Sequence, residues 1–216
     1  MFVLNQQKSV GSQFLAELRD ITIQHDRLRF RRNLERLGEI MAYEISRDLE
    51  YTSSTINTPL KATQVDVIAK QPVVISVLRA AVPFFQGFVN YFDRADCGFI
   101  GAFRNEANEH KTEIDVNLGY VVAPDIEGKE IILVDPMLAT GKSLVAGLER
   151  LLSAGLPSRI HIASVIAAPE GIAHVKEFLK EPYKIWTCAL DGRLDTRFFI
   201  VPGLGDAGDL AYGPKQ

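Results

Sequence analysis

The sequence predicts an α/β fold with a central, mostly parallel sheet flanked by helices. Three observations carry that expectation. The run Ile131-Ile132-Leu133-Val134 is unbroken and aliphatic, as in a strand buried on both faces rather than one with a wet side. A short turn follows it, and then an apolar stripe at helical spacing: Leu144, Val145, Leu148, Leu151 and Leu152. The same order of apolar strand, turn and helix recurs around residues 72–78 and 160–166, and such alternation is the pattern of parallel crossover units. Ligands of these sheets sit beyond the carboxyl ends of the strands, so residues at those ends are the first candidates for a site.

Composition bounds the possibilities. A chain of 216 residues fits one large α/β domain or two small ones. Its net charge of −3 argues against a general nucleic-acid binder. Cys97 and Cys188 are the only cysteines and lie far apart in sequence, so neither a disulfide framework nor a cysteine metal site is expected, and a reducing cytoplasm is the simplest setting. The opening Met-Phe-Val-Leu-Asn-Gln-Gln-Lys is too short and polar for a signal peptide. No apolar run approaches the roughly 20 residues of a membrane span. His25, His110, His161 and His174 are scattered without metal-ligand spacing.

Taken in order, residues 1–23 read as an arm and a short helix. Asp26 fits the N-cap of a long helix whose stripe is Leu34, Leu37, Met41, Ile45 and Leu49. Arg27, Arg29, Arg31 and Arg32 crowd its first turns, where the helix dipole disfavours cations. The expected reading is a solvated basic face, with a subunit contact or an anionic-effector site as the sharper alternative. Residues 51–67 are β-branched and polar, and Asn57-Thr58-Pro59 signals a turn, hence a hairpin. The strand at residues 72–78 ends in Arg79-Ala80-Ala81, and a helix should begin near Pro83, since proline suits a first turn. A third strand over residues 97–103 gives way to a strongly polar stretch, Arg104 to Lys111. Alternation then resumes with Ile114, Val116 and Leu118, which suggests a mobile hairpin or lid. Strands follow the opening one at residues 160–166 and 183–189, with a helix between them. A short apolar piece, residues 198–201, precedes the glycine-rich Pro202-Gly203-Leu204-Gly205-Asp206-Ala207-Gly208-Asp209.

The chemistry centres on the end of the opening strand. Asp135 stands there, and the hydroxyls of Thr140 and Ser143 adjoin a helix start whose backbone N–H groups suit a phosphate monoester. Simple capping is the plain alternative. The acid favours function, because one turn then offers phosphate and sugar contacts together. A Walker A loop would place its first glycine where Pro136 stands, so the wide P-loop turn is not expected despite Gly141-Lys142-Ser143.

The stretch Val134-Asp135-Pro136-Met137-Leu138-Ala139-Thr140-Gly141-Lys142-Ser143 resembles the phosphoribosyl diphosphate (PRPP) signature of type I phosphoribosyltransferases, in the form found in the uracil phosphoribosyltransferase family. Leu78-Arg79-Ala80-Ala81 resembles that family's Leu-Arg-Ala-Gly turn. The segment Val201 to Asp209 resembles its uracil-binding carboxyl-terminal segment. Phe103-Arg104-Asn105-Glu106 and Ala167-Ala168-Pro169-Glu170-Gly171-Ile172 also fit. The similarity runs in register from about residue 26 to residue 215. It implies one phosphoribosyltransferase domain over residues 1–216, with an amino-terminal arm (1–25), a flexible hairpin (about 103–122) and a small uracil-binding hood (about 190–216).

The resemblance further implies transfer of ribose 5-phosphate from PRPP to N1 of uracil, with UMP and diphosphate as products. Asp135, Arg104 and Asp206 would be the catalytic residues. PRPP would be bound by Arg79, Arg104, Asp206 and the whole loop from Asp135 to Ser143, that is Asp135, Pro136, Met137, Leu138, Ala139, Thr140, Gly141, Lys142 and Ser143. Uracil would be bound by Ile200, Gly205, Asp206 and Ala207. Mg²⁺ would be held mainly through PRPP, without a dedicated set of protein ligands. A homodimer or homotetramer is implied, regulation by a nucleotide such as GTP stays open, and the net charge and the absence of a long apolar run argue against nucleic-acid and membrane partners. The competing readings are a nucleotide-sensing, RNA-binding regulator on the same fold and a transferase for another base. The chain departs from the family pattern at Lys142 and Ala81, both usually glycine, at Phe103, and at Leu210-Ala211-Tyr212. The first two would do harm only at a positive φ.

Overall fold

The computed structural model describes residues 1–104 and 116–214. The elements in chain order are β1 (Phe2–Val3), a 3-10 turn (Leu4–Gln6), α1 (Val10–Arg19), α2 (Arg27–Ser46), β2 (Tyr51–Asn57), β3 (Ala62–Ile68), β4 (Val73–Leu78), α3 (Val82–Tyr91), β5 (Cys97–Arg104), β6 (Val116–Val122), β7 (Glu130–Val134), β8 (Met137–Leu138), α4 (Lys142–Leu152), β9 (Arg159–Ala167), α5 (Pro169–Phe178), β10 (Tyr183–Leu190), β11 (Arg193–Leu194), β12 (Ile200–Val201) and α6 (Ala207–Tyr212).

The main sheet runs β1-β10-β9-β7-β4-β5-β6, with β8 also on β9. Every pairing in it is parallel except β5 with β6. The aliphatic run of β7 lies at its centre, and its side chains alternate between two cores as the pleat requires. Ile132 and Val134 pack with Leu34, Leu37, Met41, Phe84 and Phe88 of α2 and α3. Ile131 and Leu133 pack with Leu144, Leu148 and Leu151 of α4. Burial on both faces is thus the physical reason that β7 needs no polar residue. Helices α2 and α3 cross at their glycines: a Cβ on Gly38 would lie 2.1 Å from the Phe84 carbonyl oxygen.

Three expectations need correction or refinement. The amino-terminal arm is a strand at the sheet's edge, where Phe2 and Val3 pair with Trp186 and Thr187 of β10 and the Phe2 ring lies 5.3 Å from that of Trp186. The basic start of α2 is not merely solvated. Asp26 caps the helix by accepting from the Arg29 N–H, and Arg29 grips the buried Glu17 of α1 with two bonds of 2.8 Å. Arg31 donates to the Ala211 carbonyl of α6 at 2.8 Å. A carboxylate and a helix-end carbonyl therefore offset the cations that the dipole disfavours. Lastly, the glycine-rich tail becomes helical from Ala207.

The hairpin of β2 and β3 forms as expected, as a separate two-stranded sheet. Antiparallel β5 and β6 carry a bulge at Gly101/Ala102, but residues 105–115, and with them most of the expected lid, lie outside the described residues. Arg104 ends β5, and its side chain also lies outside what the structure describes. Among the described residues no helix is long and apolar enough to cross a membrane.

Candidate active site

The loop after β7 is stitched to its neighbour β9. The Asp135 N–H donates to the Ala163 carbonyl, and the Pro136 carbonyl accepts from both Val165 and Ile166, each at 3.0 Å. Met137 and Leu138 then pair with Ile166 and Ala167 as β8. These bonds fix the main chain around Asp135, whose Oδ1 accepts from the Met137 N–H at 3.2 Å. Gly141 is the N-cap of α4 at φ +74°, a backbone that L side chains avoid. It is also crowded from behind, since a Cβ there would lie 2.9 Å from the Gly171 carbonyl oxygen of α5. Gly171 in turn would bring a Cβ to 2.4 Å from the Ala139 carbonyl oxygen. The start of α5 thus supports the loop, which gives a physical sense to the match around Ala167–Ile172. The start of α4 borders a notch of about 20 Å³ lined by Asp135, Leu138, Ala139, Thr140, Gly141 and Ser143 among others, and the Lys142 N–H there donates to Thr140 Oγ1 at 3.4 Å.

That notch adjoins a cavity of about 580 Å³, a size suited to a small-molecule ligand. The two share Asp135, Met137 and Ser143. Its walls come from four places: Val77, Leu78, Arg79 and Ala80 after β4; Gly101 and Ala102 of β5; Asp135, Pro136, Met137 and Ser143; and Phe198, Phe199, Asp206, Ala207 and Gly208 near the carboxyl terminus. It lies beyond the carboxyl ends of the parallel strands, as the sheet topology predicts.

The expected site residues are therefore largely brought together. Arg79, Asp135, Pro136, Met137, Ser143, Asp206 and Ala207 line the cavity, and Leu138, Ala139, Thr140 and Gly141 line the notch. Lys142 lines neither. Phe198 is the one non-glycine residue at positive φ among the described residues, so Lys142 and Ala81 replace the usual glycines without left-handed strain. Ile200 turns its side chain into the core. Gly205, at φ +91°, makes the exposed turn before Asp206. Sequence reasoning assigned no contact to Val77, Leu78, Ala80, Gly101, Ala102, Phe198, Phe199 or Gly208. The adjacent aromatics just before the glycine-rich segment were a readable signal; the small residues of β5 were not, because only the sheet brings them to β4.

Polar partners order the carboxyl-terminal wall. Asp206 caps α6 by accepting from the Asp209 N–H at 3.0 Å. Arg79 donates through Nη2 to Asp209 Oδ1 at 2.9 Å and to the Gly213 carbonyl at 3.1 Å. Behind this wall, Arg19 of α1 forks the buried Asp191 at 2.7 and 3.0 Å and also donates to the Gly203 carbonyl. The Gly203 N–H donates back to Asp191 at 2.9 Å. The amino-terminal helices therefore brace the segment that ends in Asp206. Cys188 is wholly buried, and burial pushes its thiol up and out of reach of ionisation near neutrality, so it is a packing residue. Among the described residues no cluster of three or more histidine, cysteine or acidic side chains could cage a metal ion. Among the described residues the carboxylates lining the cavity are those of Asp135 and Asp206, with the Ser143 hydroxyl beside them, which fits an ion ligated mostly by phosphate oxygens and water.

Comparison with known proteins agrees with this geometry. The family model for uracil phosphoribosyltransferase matches residues 5–214. A protein named uracil phosphoribosyltransferase in Porphyromonas gingivalis is 44% identical over 212 residues, covering 98% of this chain and 97% of its own. One of the same name in Pyrococcus furiosus is 38% identical over 204 residues, covering 93% and 85%. The solved structure of the AQ2163 protein from Aquifex aeolicus superposes with a TM-score of 0.85 at 28% identity, over 96% of each chain. A match across nearly the whole sequence, with the Asp135–Ser143 loop, the Arg79 turn and the carboxyl-terminal segment meeting at one cavity, places this chain in the uracil phosphoribosyltransferase family.

Proposed function

We propose that the protein transfers ribose 5-phosphate from PRPP to N1 of uracil, releasing diphosphate and UMP. The observation that carries this reading is the single cavity walled by the Asp135 loop, the Arg79 turn and the Asp206 segment. In this reading Thr140, Gly141 and Ser143 hold the 5′-phosphate in the notch at the start of α4, with Ala139 and Lys142 in the same loop. Asp135 accepts hydrogen bonds from the ribose hydroxyls, and its charge favours the oxocarbenium character that develops at C1, an interaction stronger in the transition state than in the ground state. Arg79 and Arg104 bind the leaving diphosphate and offset its growing charge. The two bonds of Arg79 to the carboxyl-terminal wall use Nη2, and a guanidinium's five-donor fork has further N–H groups with which to bind a diphosphate.

The diphosphate would bring Mg²⁺ with it, which supplies further neutralisation of the leaving group. Asp206, in the carboxyl-terminal wall of the cavity, would contact PRPP or a metal-bound water near the base. Main-chain groups of Ile200, Gly205, Asp206 and Ala207 read the uracil edge. A fixed N–H aimed at O4 would meet the amino group of cytosine donor to donor, and rejection through unpaired buried groups can be strong.

The same reading includes a cytoplasmic setting and assembly as a homodimer or homotetramer. The isolated hairpin of β2 and β3, which exposes Tyr51, Ile56, Leu60, Val65 and Val67, supports assembly, because a lone hairpin is marginal in water. GTP as an effector rests on the family resemblance alone, and assays with and without it test the idea. An RNA-binding regulator is not favoured, since Arg29 and Arg31 of the most concentrated basic run are spent on internal contacts. A transferase for another base is disfavoured by the carboxyl-terminal segment. The deciding experiment supplies the purified protein with PRPP, Mg²⁺ and each free base in turn. UMP from uracil, with no product from cytosine, purines or orotate, is expected. A folded protein that binds PRPP and yet makes no UMP would overturn the reading.

A further inference from the structure

Phe198 occupies a backbone conformation that a bulky side chain rarely adopts. Its φ is +64°, and no other non-glycine among the described residues is positive. A tight turn enforces it. Asp195 Oδ1 accepts from the N–H groups of Arg197 and Phe199, both at 2.8 Å. The Phe198 N–H donates to the Asp195 carbonyl at 3.0 Å, and the Asp195 N–H to that of Phe199 at 2.8 Å. Glycine or asparagine would make such a turn with less strain, so the turn itself does not call for an aromatic ring. The ring is not called for by packing either. Phe198 belongs to neither hydrophobic core and is not packed against either of them. It is half-buried, and it lines the cavity beside Phe199, on the wall that also holds Asp206, Ala207 and Gly208. Strain kept at a cavity wall, with no gain to the core, points to a ligand.

We propose that Phe198 is a specificity-determining residue. Its ring closes the base end of the cavity, packs on the pyrimidine and limits the size of base admitted, so that pyrimidines with bulky ring substituents are excluded. The proposal rests on the uracil-transfer reading. Asp195 is its positioning residue, because its carboxylate holds the turn that aims the ring.

Phe198→Gly tests this without threatening the fold, since glycine suits the observed φ. Its thermal midpoint should equal or exceed that of the parent. Its KM for uracil should rise roughly tenfold, the scale of a lost apolar contact in a binding pocket, while its KM for PRPP stays within about twofold. Its selectivity, the ratio of kcat/KM for 5-bromouracil to that for uracil, should rise. Phe198→Asn, which also tolerates left-handed backbone, should shift the uracil KM the same way. A folded Phe198→Gly protein with unchanged uracil KM and unchanged selectivity would overturn the proposal alone. A parent protein that makes no UMP would overturn the transfer reading, and the proposal with it.

Discussion

Asp135 and Gly141 sit six residues apart and depend on opposite properties. Asp135 contributes a charge held on a main chain fixed by β9. Asp135→Asn keeps the shape and removes the charge, so kcat should fall by about a hundredfold or more, the scale of losing one preorganised electrostatic contact, with an unchanged thermal melt. Near-normal turnover would remove Asp135 from its assigned role. Gly141 contributes the absence of a side chain. Gly141→Ala must place a Cβ at φ +74° and 2.9 Å from the Gly171 carbonyl oxygen. The left-handed backbone alone costs about 1–2 kcal/mol, so urea denaturation should show at least that loss, and the KM for PRPP should rise as the loop shifts. Both residues were readable from the loop motif. The reason Gly141 cannot change was only half readable, because the motif shows the turn while Gly171 approaches from α5.

Helix α1 illustrates how an element that seems peripheral can govern the site. Its Arg19 forks Asp191, whose side chain is 5% exposed, and holds the Gly203 carbonyl. Arg19→Met leaves that carboxylate buried without its partner, a change on the order of 3 kcal/mol, and releases the segment leading to Asp206. Denaturant melts should show the loss, and the KM for uracil should rise more than that for PRPP; equal effects on both would assign Arg19 a purely structural role. The same helix meets α2 through Glu17. The Arg29 fork, and then hydrogen bonds from Asn33 and Gln13, hold the Glu17 carboxyl at about 2, below its ordinary 4.5. The folded-state value is the lower one, so this contribution to stability is complete above about pH 4.5 and is lost as pH falls towards about 2. Thermal midpoints measured across that range should fall less steeply in Glu17→Gln than in the parent protein; parallel curves would remove Glu17 as a source of acid sensitivity. The sequence offered Arg29 only as one cation in a crowded turn, since its partner lies 12 residues away on a different helix.

At the scale of the molecule, the order β1-β10-β9-β7-β4-β5-β6 sets β7 and β4 side by side, so the Asp135 loop and the Arg79 turn open into one cavity. The hairpin of β2 and β3 stands apart from that sheet, with Leu60 at its tip 96% exposed. If a second copy covers it, Leu60→Asp should lower the mass observed by light scattering towards that of one chain while the circular dichroism spectrum stays unchanged. A parent protein that already scatters as a single chain would dismiss assembly.

The sequence alone determined the alternation of helix and strand, the double burial of β7, the cap at Asp26 and the loop from Asp135 to Ser143, because each is written in local periodicity or in a short contiguous motif. Tertiary structure decided what depends on distant partners. It tied the first residues to the edge of β10, turned the basic start of α2 inward onto Glu17 and Ala211, and braced Gly203 through Arg19 and Asp191. It also set Phe198 against the cavity in a strained turn. Hydrogen bonds and contacts between residues up to 184 positions apart leave no periodic trace along the chain, and only the folded packing brings them within reach.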